Sequence, residues 1–91
     1  RVNSLSMKNA GIDIDDQILV DRSLNAEHGD IVLALINNEF TVKRLMKEKQ
    51  NNSQPKIWLK AENPEYPDIY LGSEDELIIW GVVTCILKKL R

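Results

Sequence analysis

The stretch Ile31-Val32-Leu33-Ala34-Leu35-Ile36-Asn37-Asn38-Glu39-Phe40-Thr41-Val42-Lys43-Arg44-Leu45 decides the fold class. An apolar run rich in β-branched residues meets a second such run after only Asn37-Asn38. Asparagine tolerates the left-handed backbone that a tight hairpin turn needs, so the spacing predicts two strands, over 31–36 and 39–46. Helix is the rival over 39–49, given its lysines and glutamates, but the tight turn and the Phe40-Thr41-Val42 start favour strand. Alternation along that strand puts Lys43 on one face with Thr41 and Leu45, and Phe40, Val42 and Arg44 on the other.

Outward from the hairpin the pattern stays strand-like. Ile18-Leu19-Val20 lies between acidic residues in 17–21, and Ile57-Trp58-Leu59 and Ile69-Tyr70-Leu71 are short apolar runs. Residues 76–87 form the longest β-branched segment, and Gly81 within it predicts a bulge or a close backbone approach. Between these runs, 47–56 is polar and reads as a loop or hairpin tip, while Asn63-Pro64 and Tyr66-Pro67 enforce extended backbone and turns. One helical turn is expected near 7–11. Short strands at this spacing imply a mostly-β domain, and 91 residues allow a single one over 1–91.

Composition narrows the function. Apolar residues are 43% and charged residues 29%, ordinary values for a globular chain. The net charge of −2 provides no basic face, so direct nucleic-acid binding is not expected. The lone Cys85 closes no internal disulfide, and with the lone His28 it does not make a usual zinc site. The longest apolar runs fall far short of the roughly 20 residues that span a bilayer, so no membrane role is expected. The chain opens on Arg1 rather than methionine, which predicts a fragment or processed product.

Three residue types bear on nucleophilic chemistry. Ser4-Leu5-Ser6-Met7-Lys8 precedes a turn at Asn9-Ala10-Gly11, where serines ordinarily cap or decorate. His28, in Glu27-His28-Gly29-Asp30, has the surroundings of a solvated loop residue. Lys43 is the other base: on an apolar face without a counter-charge its ammonium is disfavoured, and a neutral lysine beside a serine makes a Ser–Lys pair. A snorkelling lysine with its head in water is the bland alternative, and these residues alone favour it.

Longer phrases carry more. Ser6-Met7, Gly11-Ile12, Asp15 to Asp21, His28-Gly29-Asp30-Ile31-Val32, Glu39-Phe40-Thr41-Val42-Lys43-Arg44-Leu45, Glu62-Asn63-Pro64, Ser73-Glu74-Asp75 and Trp80-Gly81-Val82-Val83 together resemble the LexA/UmuD self-cleaving serine peptidase family over nearly the whole chain. His28 to Val32, Glu39 to Lys43 and Gly81-Val82-Val83 are closest to its UmuD branch in processed form. The resemblance implies a small, highly curved β-structure of the LexA/UmuD/signal-peptidase type. It implies Ser6 as nucleophile, Lys43 as general base, and an oxyanion site at the backbone N–H groups of Leu5 and Ser6. The reaction implied is hydrolysis of a peptide bond in an N-terminal arm, upstream of Arg1, with no cofactor. Ala10-Gly11 matches the family's cleavage dipeptide but is read as turn chemistry. Ser4-Leu5 departs from the family motif, which has glycine two residues before the nucleophile.

The same resemblance implies a bacterial cytoplasmic protein. Its implied partners are a second copy of itself, the RecA filament that stimulates cleavage, and the UmuC subunit of the error-prone translesion DNA polymerase V in the SOS response. The alternative is the dimerisation and self-cleavage domain of a LexA-like or phage-type repressor. Elsewhere, Lys43, Arg44, Lys47 and Lys49 read as a solvated basic hairpin end, and Lys88, Lys89 and Arg91 as a solubilising tail. Glu74-Asp75-Glu76 reads as an acidic turn, Trp58, Trp80 and Tyr70 as core or interface anchors, and Cys85 as a small buried hydrophobe. The strand over 78–87 is long for so small a domain and is expected to expose an edge that needs pairing or cover, for which the resemblance implies homodimerisation.

Overall fold

The computed structural model describes residues 2–50, 54–88 and 90. The centre of the loop at 51–53 and the tail residues Lys89 and Arg91 lie outside them. Six strands form one antiparallel sheet: β1 (Gln17–Asp21), β2 (Ile31–Ile36), β3 (Glu39–Glu48), β4 (Lys56–Lys60), β5 (Ile69–Tyr70) and β6 (Leu77–Leu87). Their order is β1-β6-β2-β3-β4-β5, so the last strand enters between the first two. A single 3₁₀ turn, Lys8–Ala10, stands where the helical turn is expected.

The β2–β3 hairpin forms as its sequence predicts. Ile36 pairs with Glu39 across the turn, and Asn37 and Asn38 take φ of 47° and 70°, left-handed values that asparagine accepts at low cost. Asp75 reinforces the corner by accepting a hydrogen bond from Asn37 Nδ2 at 2.9 Å. The helical rival is excluded over all of β3, which runs two residues beyond the expected end, to Glu48. Pairing with β4 supplies the reason: Lys47 meets Ile57 and Glu48 meets Lys56.

Gly81 fulfils both readings made of it. The register of β6 shifts there, Leu33 pairing with Gly81 and Ala34 with Ile79, so Trp80 is the extra residue. A Cβ on Gly81 would stand closer to Val20 Cγ1 than real Cβ contacts come. A second shift, between Leu19 and Val20, leaves Thr84 unpaired against β1. Bulges bend the strand that carries them, and β6, second in the sheet order, carries two.

The core lies on the face that presents Val32, Ala34, Leu45 and Leu59, all buried, with Leu77 and Ile79 packed against them. Met7 and Ile12, from the N-terminal segment, are buried as well. Two expectations need correcting. Cys85 is exposed rather than buried, because it lies beyond Val82, the last β6 residue paired with β2. The long strand β6 is also no open edge, because β1 pairs with it on one side and β2 on the other. The edges are β1 and the two-residue β5, where Tyr70 is exposed with its ring stacked on Trp58 at 6.3 Å between centroids.

Candidate active site

The segment bearing Ser6 is tied down at three places. Upstream, Val2 N–H donates to the Asp16 carbonyl and Asp15 N–H to the Val2 carbonyl, at 3.0 and 2.7 Å. Downstream, Ala10 and Ile12 N–H groups both donate to the Met7 carbonyl, and Gly11 closes the turn at φ 87°, which suits a residue without Cβ. Ala10-Gly11 is therefore turn backbone, as read. From the side, the β4–β5 connection clamps the segment: Glu62 N–H donates to the Ser6 carbonyl at 2.8 Å, and Asn63 Nδ2 to the Leu5 carbonyl at 2.8 Å. The Ser6 hydroxyl is thus held on a pinned backbone in a buried position.

Lys43 reaches it from β3. Its Nζ donates to Ser6 Oγ at 2.9 Å, to Thr41 Oγ1 at 2.6 Å and to the Val42 carbonyl at 3.2 Å. Alternation places the lysine on the core face, opposite the fully buried Val32, and its own exposure is only 8%. Among the described residues no carboxylate pairs with it. Burial therefore pushes its pKa below the ordinary 10.5, because removal from water penalises the charged form. A neutral amine at this distance is placed to accept the serine proton.

A cleft of about 430 Å³ opens over the pair, with Val2, Ile18, Val20, Leu33 and Phe40 among its walls. At its floor the Ser6 backbone N–H donates to Ser4 Oγ at 3.1 Å. Among the described residues the Leu5 N–H has no hydrogen-bond partner. The two proposed oxyanion donors thus differ: one is open and one carries a side-chain hydroxyl.

The remaining sequence candidates separate from this cleft. His28 is exposed in its turn, and its Nδ1 accepts the Lys47 N–H at 2.9 Å. The basic stretch on β3 is not a solvated patch throughout, because strand alternation sends its members apart. Lys43 is buried, while Arg44 donates to Glu62 Oε1 at 2.7 Å. Glu74 lies in a turn beside Asp75, whose Oδ2 accepts the Gly72 N–H, and no cluster of metal-ligating side chains occurs among the described residues. No described helix is long and apolar enough to cross a membrane.

Sequence reasoning left three contributors without a role: Thr41, Glu62 and Asn63. The same-face position of Thr41, two residues before Lys43, was the available signal for the first. Glu62 and Asn63 stand out only through the family phrase Glu62-Asn63-Pro64, which does not announce their partners far away in sequence.

Comparison with known proteins places the chain in a family. The Peptidase S24-like family model matches residues 1–84, and the chain belongs to that family, the LexA/UmuD group that its motifs resemble. Protein MucA of Salmonella typhimurium is 45% identical over 85 residues, covering 92% of this chain and 54% of MucA. Protein ImpA of Shigella flexneri is 36% identical over 91 residues, covering 100% of this chain and 58% of ImpA. LexA repressor 1 of Pseudomonas putida is 39% identical over 90 residues, covering 98% of this chain and 42% of the repressor. The chain spans about half the length of these relatives.

Proposed function

We propose that this domain is a Ser–Lys self-cleaving peptidase of the UmuD type, with Ser6 as nucleophile and Lys43 as general base. The observation that carries the reading is the 2.9 Å contact between the two side chains, both buried and with the lysine's charge disfavoured. In the reaction Lys43 Nζ takes the Ser6 proton as Oγ attacks the scissile carbonyl carbon. The resulting oxyanion is stabilised by the backbone N–H groups of Leu5 and Ser6. The lysine then returns its proton to the leaving amine, and water releases the acyl group by the same steps. Hydroxyl, amine and backbone donors suffice, so no cofactor enters.

The bond cut lies in a segment preceding this domain in the full-length protein. The cleaved form then acts as a homodimer, the accessory subunit of the error-prone translesion DNA polymerase V in the SOS response. UmuC and the RecA filament are its partners, in the bacterial cytoplasm. The identity to MucA supports this reading over its rival. The side chains of Leu19, Ile78 and Leu87, exposed on β1 and β6, are suited to a second copy. The rival is a repressor's dimerisation and self-cleavage domain, which the 39% identity to LexA repressor 1 favours.

The test is incubation of the full-length protein with RecA filaments, followed by intact-mass measurement. Two fragments from wild type, and none from Ser6→Ala or Lys43→Ala, is the expected result; an intact wild-type chain overturns the peptidase assignment. Sequence preceding the domain separates the two readings, a short arm favouring UmuD and a helix-turn-helix domain a repressor.

A further inference from the structure

The nucleophile segment holds a second hydroxyl for which the Ser–Lys chemistry has so far given no task. Ser4 lies outside the left-handed region that would call for glycine, so its side chain is accommodated without backbone strain. That side chain folds back along the turn, and its Oγ accepts the Ser6 N–H at 3.1 Å. Ser4, Ser6 and Lys43 all line the same cleft.

An oxyanion held by the Ser6 N–H must sit about 2.7–3.1 Å from that nitrogen, and this is the place Ser4 Oγ now takes. A hydroxyl has one proton to give as well as lone pairs to receive, and among the described residues the Ser4 proton has no acceptor. Rotation of χ1 to a neighbouring staggered well moves Oγ aside when a carbonyl oxygen arrives. A hydroxyl displaced in this way still has its proton to give. The same atom then fills the site at rest and serves it during reaction.

We propose that Ser4 is a catalytic residue whose side-chain hydroxyl donates a hydrogen bond to the oxyanion, alongside the backbone N–H of Ser6. The proposal rests on the self-cleavage reading above. As Ser6 Oγ bonds to the scissile carbon, its proton passes to Lys43 Nζ and the carbonyl π electrons move to oxygen. That oxygen draws on the Ser4 O–H together with the Leu5 and Ser6 N–H groups, and the Ser4 proton stays on Ser4 throughout. Collapse re-forms the carbonyl, breaks the C–N bond and sends the Lys43 proton to the departing amine.

The test is the rate of self-cleavage of the full-length protein at alkaline pH, with Ser4→Ala, Ser4→Gly and Ser4→Thr beside wild type and Ser6→Ala. Loss of one oxyanion donor slows acyl transfer by roughly a hundredfold or more. Ser4→Ala and Ser4→Gly should slow cleavage by about that factor, while Ser4→Thr, which keeps the hydroxyl, stays within about tenfold of wild type. The pH midpoint of the rate and the thermal midpoint should not move, which separates this role from a structural one. If Ser4→Ala alters the thermal midpoint, Ser4→Gly carries the comparison. Cleavage of Ser4→Ala and Ser4→Gly at the wild-type rate or faster overturns the proposal while leaving the Ser6–Lys43 reading intact. A wild-type chain that never cleaves overturns both.

Discussion

At the scale of single residues, the candidate site turns on how a lysine is made a base. Lys43 is desolvated by its place opposite Val32, and the loss of charge is directed at Ser6 rather than at a carboxylate. Self-cleavage should therefore rise with pH and level off above the lowered Lys43 value, as rates measured across alkaline pH will show. Arginine in place of Lys43 should abolish the reaction at every pH, since a guanidinium does not give up its proton. Thr41 adds a finer control. Its Oγ1 accepts from Nζ at 2.6 Å, a bond that is stronger when the amine is charged. Thr41→Val should thus move the rate midpoint to lower pH and lower the maximum rate by about tenfold, one net hydrogen bond's worth. The proposed nucleophile and base stand out in the sequence because both sit in phrases that carry the family resemblance, Ser6-Met7 and Thr41-Val42-Lys43-Arg44-Leu45. Their contact was not legible, since it joins residues 37 apart and depends on the N-terminal segment lying against the sheet.

At the scale of elements, the strands followed their patterns closely and the connections did not. Asn37-Asn38 announces its hairpin because the turn is local, and Gly81 announces a close approach because nothing else in 76–87 lacks a Cβ. The approach itself, to Val20 and the Asp21 carbonyl on a distant strand, is a tertiary fact. Gly81→Ala should destabilise the fold by about 1–3 kcal/mol, the usual cost of overpacking, seen as a lower denaturation midpoint in urea. The clamp from the β4–β5 connection was invisible for the same reason. Asn63-Pro64 reads as a turn, yet Asn63 Nδ2 satisfies the Leu5 carbonyl while its Oδ1 accepts the Glu65 N–H. Asn63→Ala strips both partners at once from a buried position. It should cost about 1–3 kcal/mol of stability and slow self-cleavage, and rate and urea midpoint measured on one sample will show whether the two fall together.

At the scale of the whole molecule, the site taxes the fold that carries it. The unfolded chain holds a proton on Lys43 up to about pH 10.5, whereas the folded chain releases it at lower pH. Between those two values the unfolded state binds more protons, so stability gains with rising pH through that window. Lys43→Met should flatten this rise, as urea unfolding across pH 8–10.5 will report. The pair of Asp16 and Lys88 works at the other end of the scale. The Lys88 hydrogen bond holds the Asp16 carboxyl below its usual range and ties the residue after β6 to the one before β1. That contribution is present at neutral pH and fades as acid passes the lowered Asp16 value. β6 bends at two bulges, of which the sequence marked only the one beside Gly81. The most direct measurement of the central claim is a ¹³Cε NMR titration of Lys43 in this protein, set against the pH profile of self-cleavage. The expected result is a Lys43 midpoint below 10.5 that coincides with the midpoint of the rate. A Lys43 midpoint at or above 10.5, with cleavage already complete at lower pH, would contradict it.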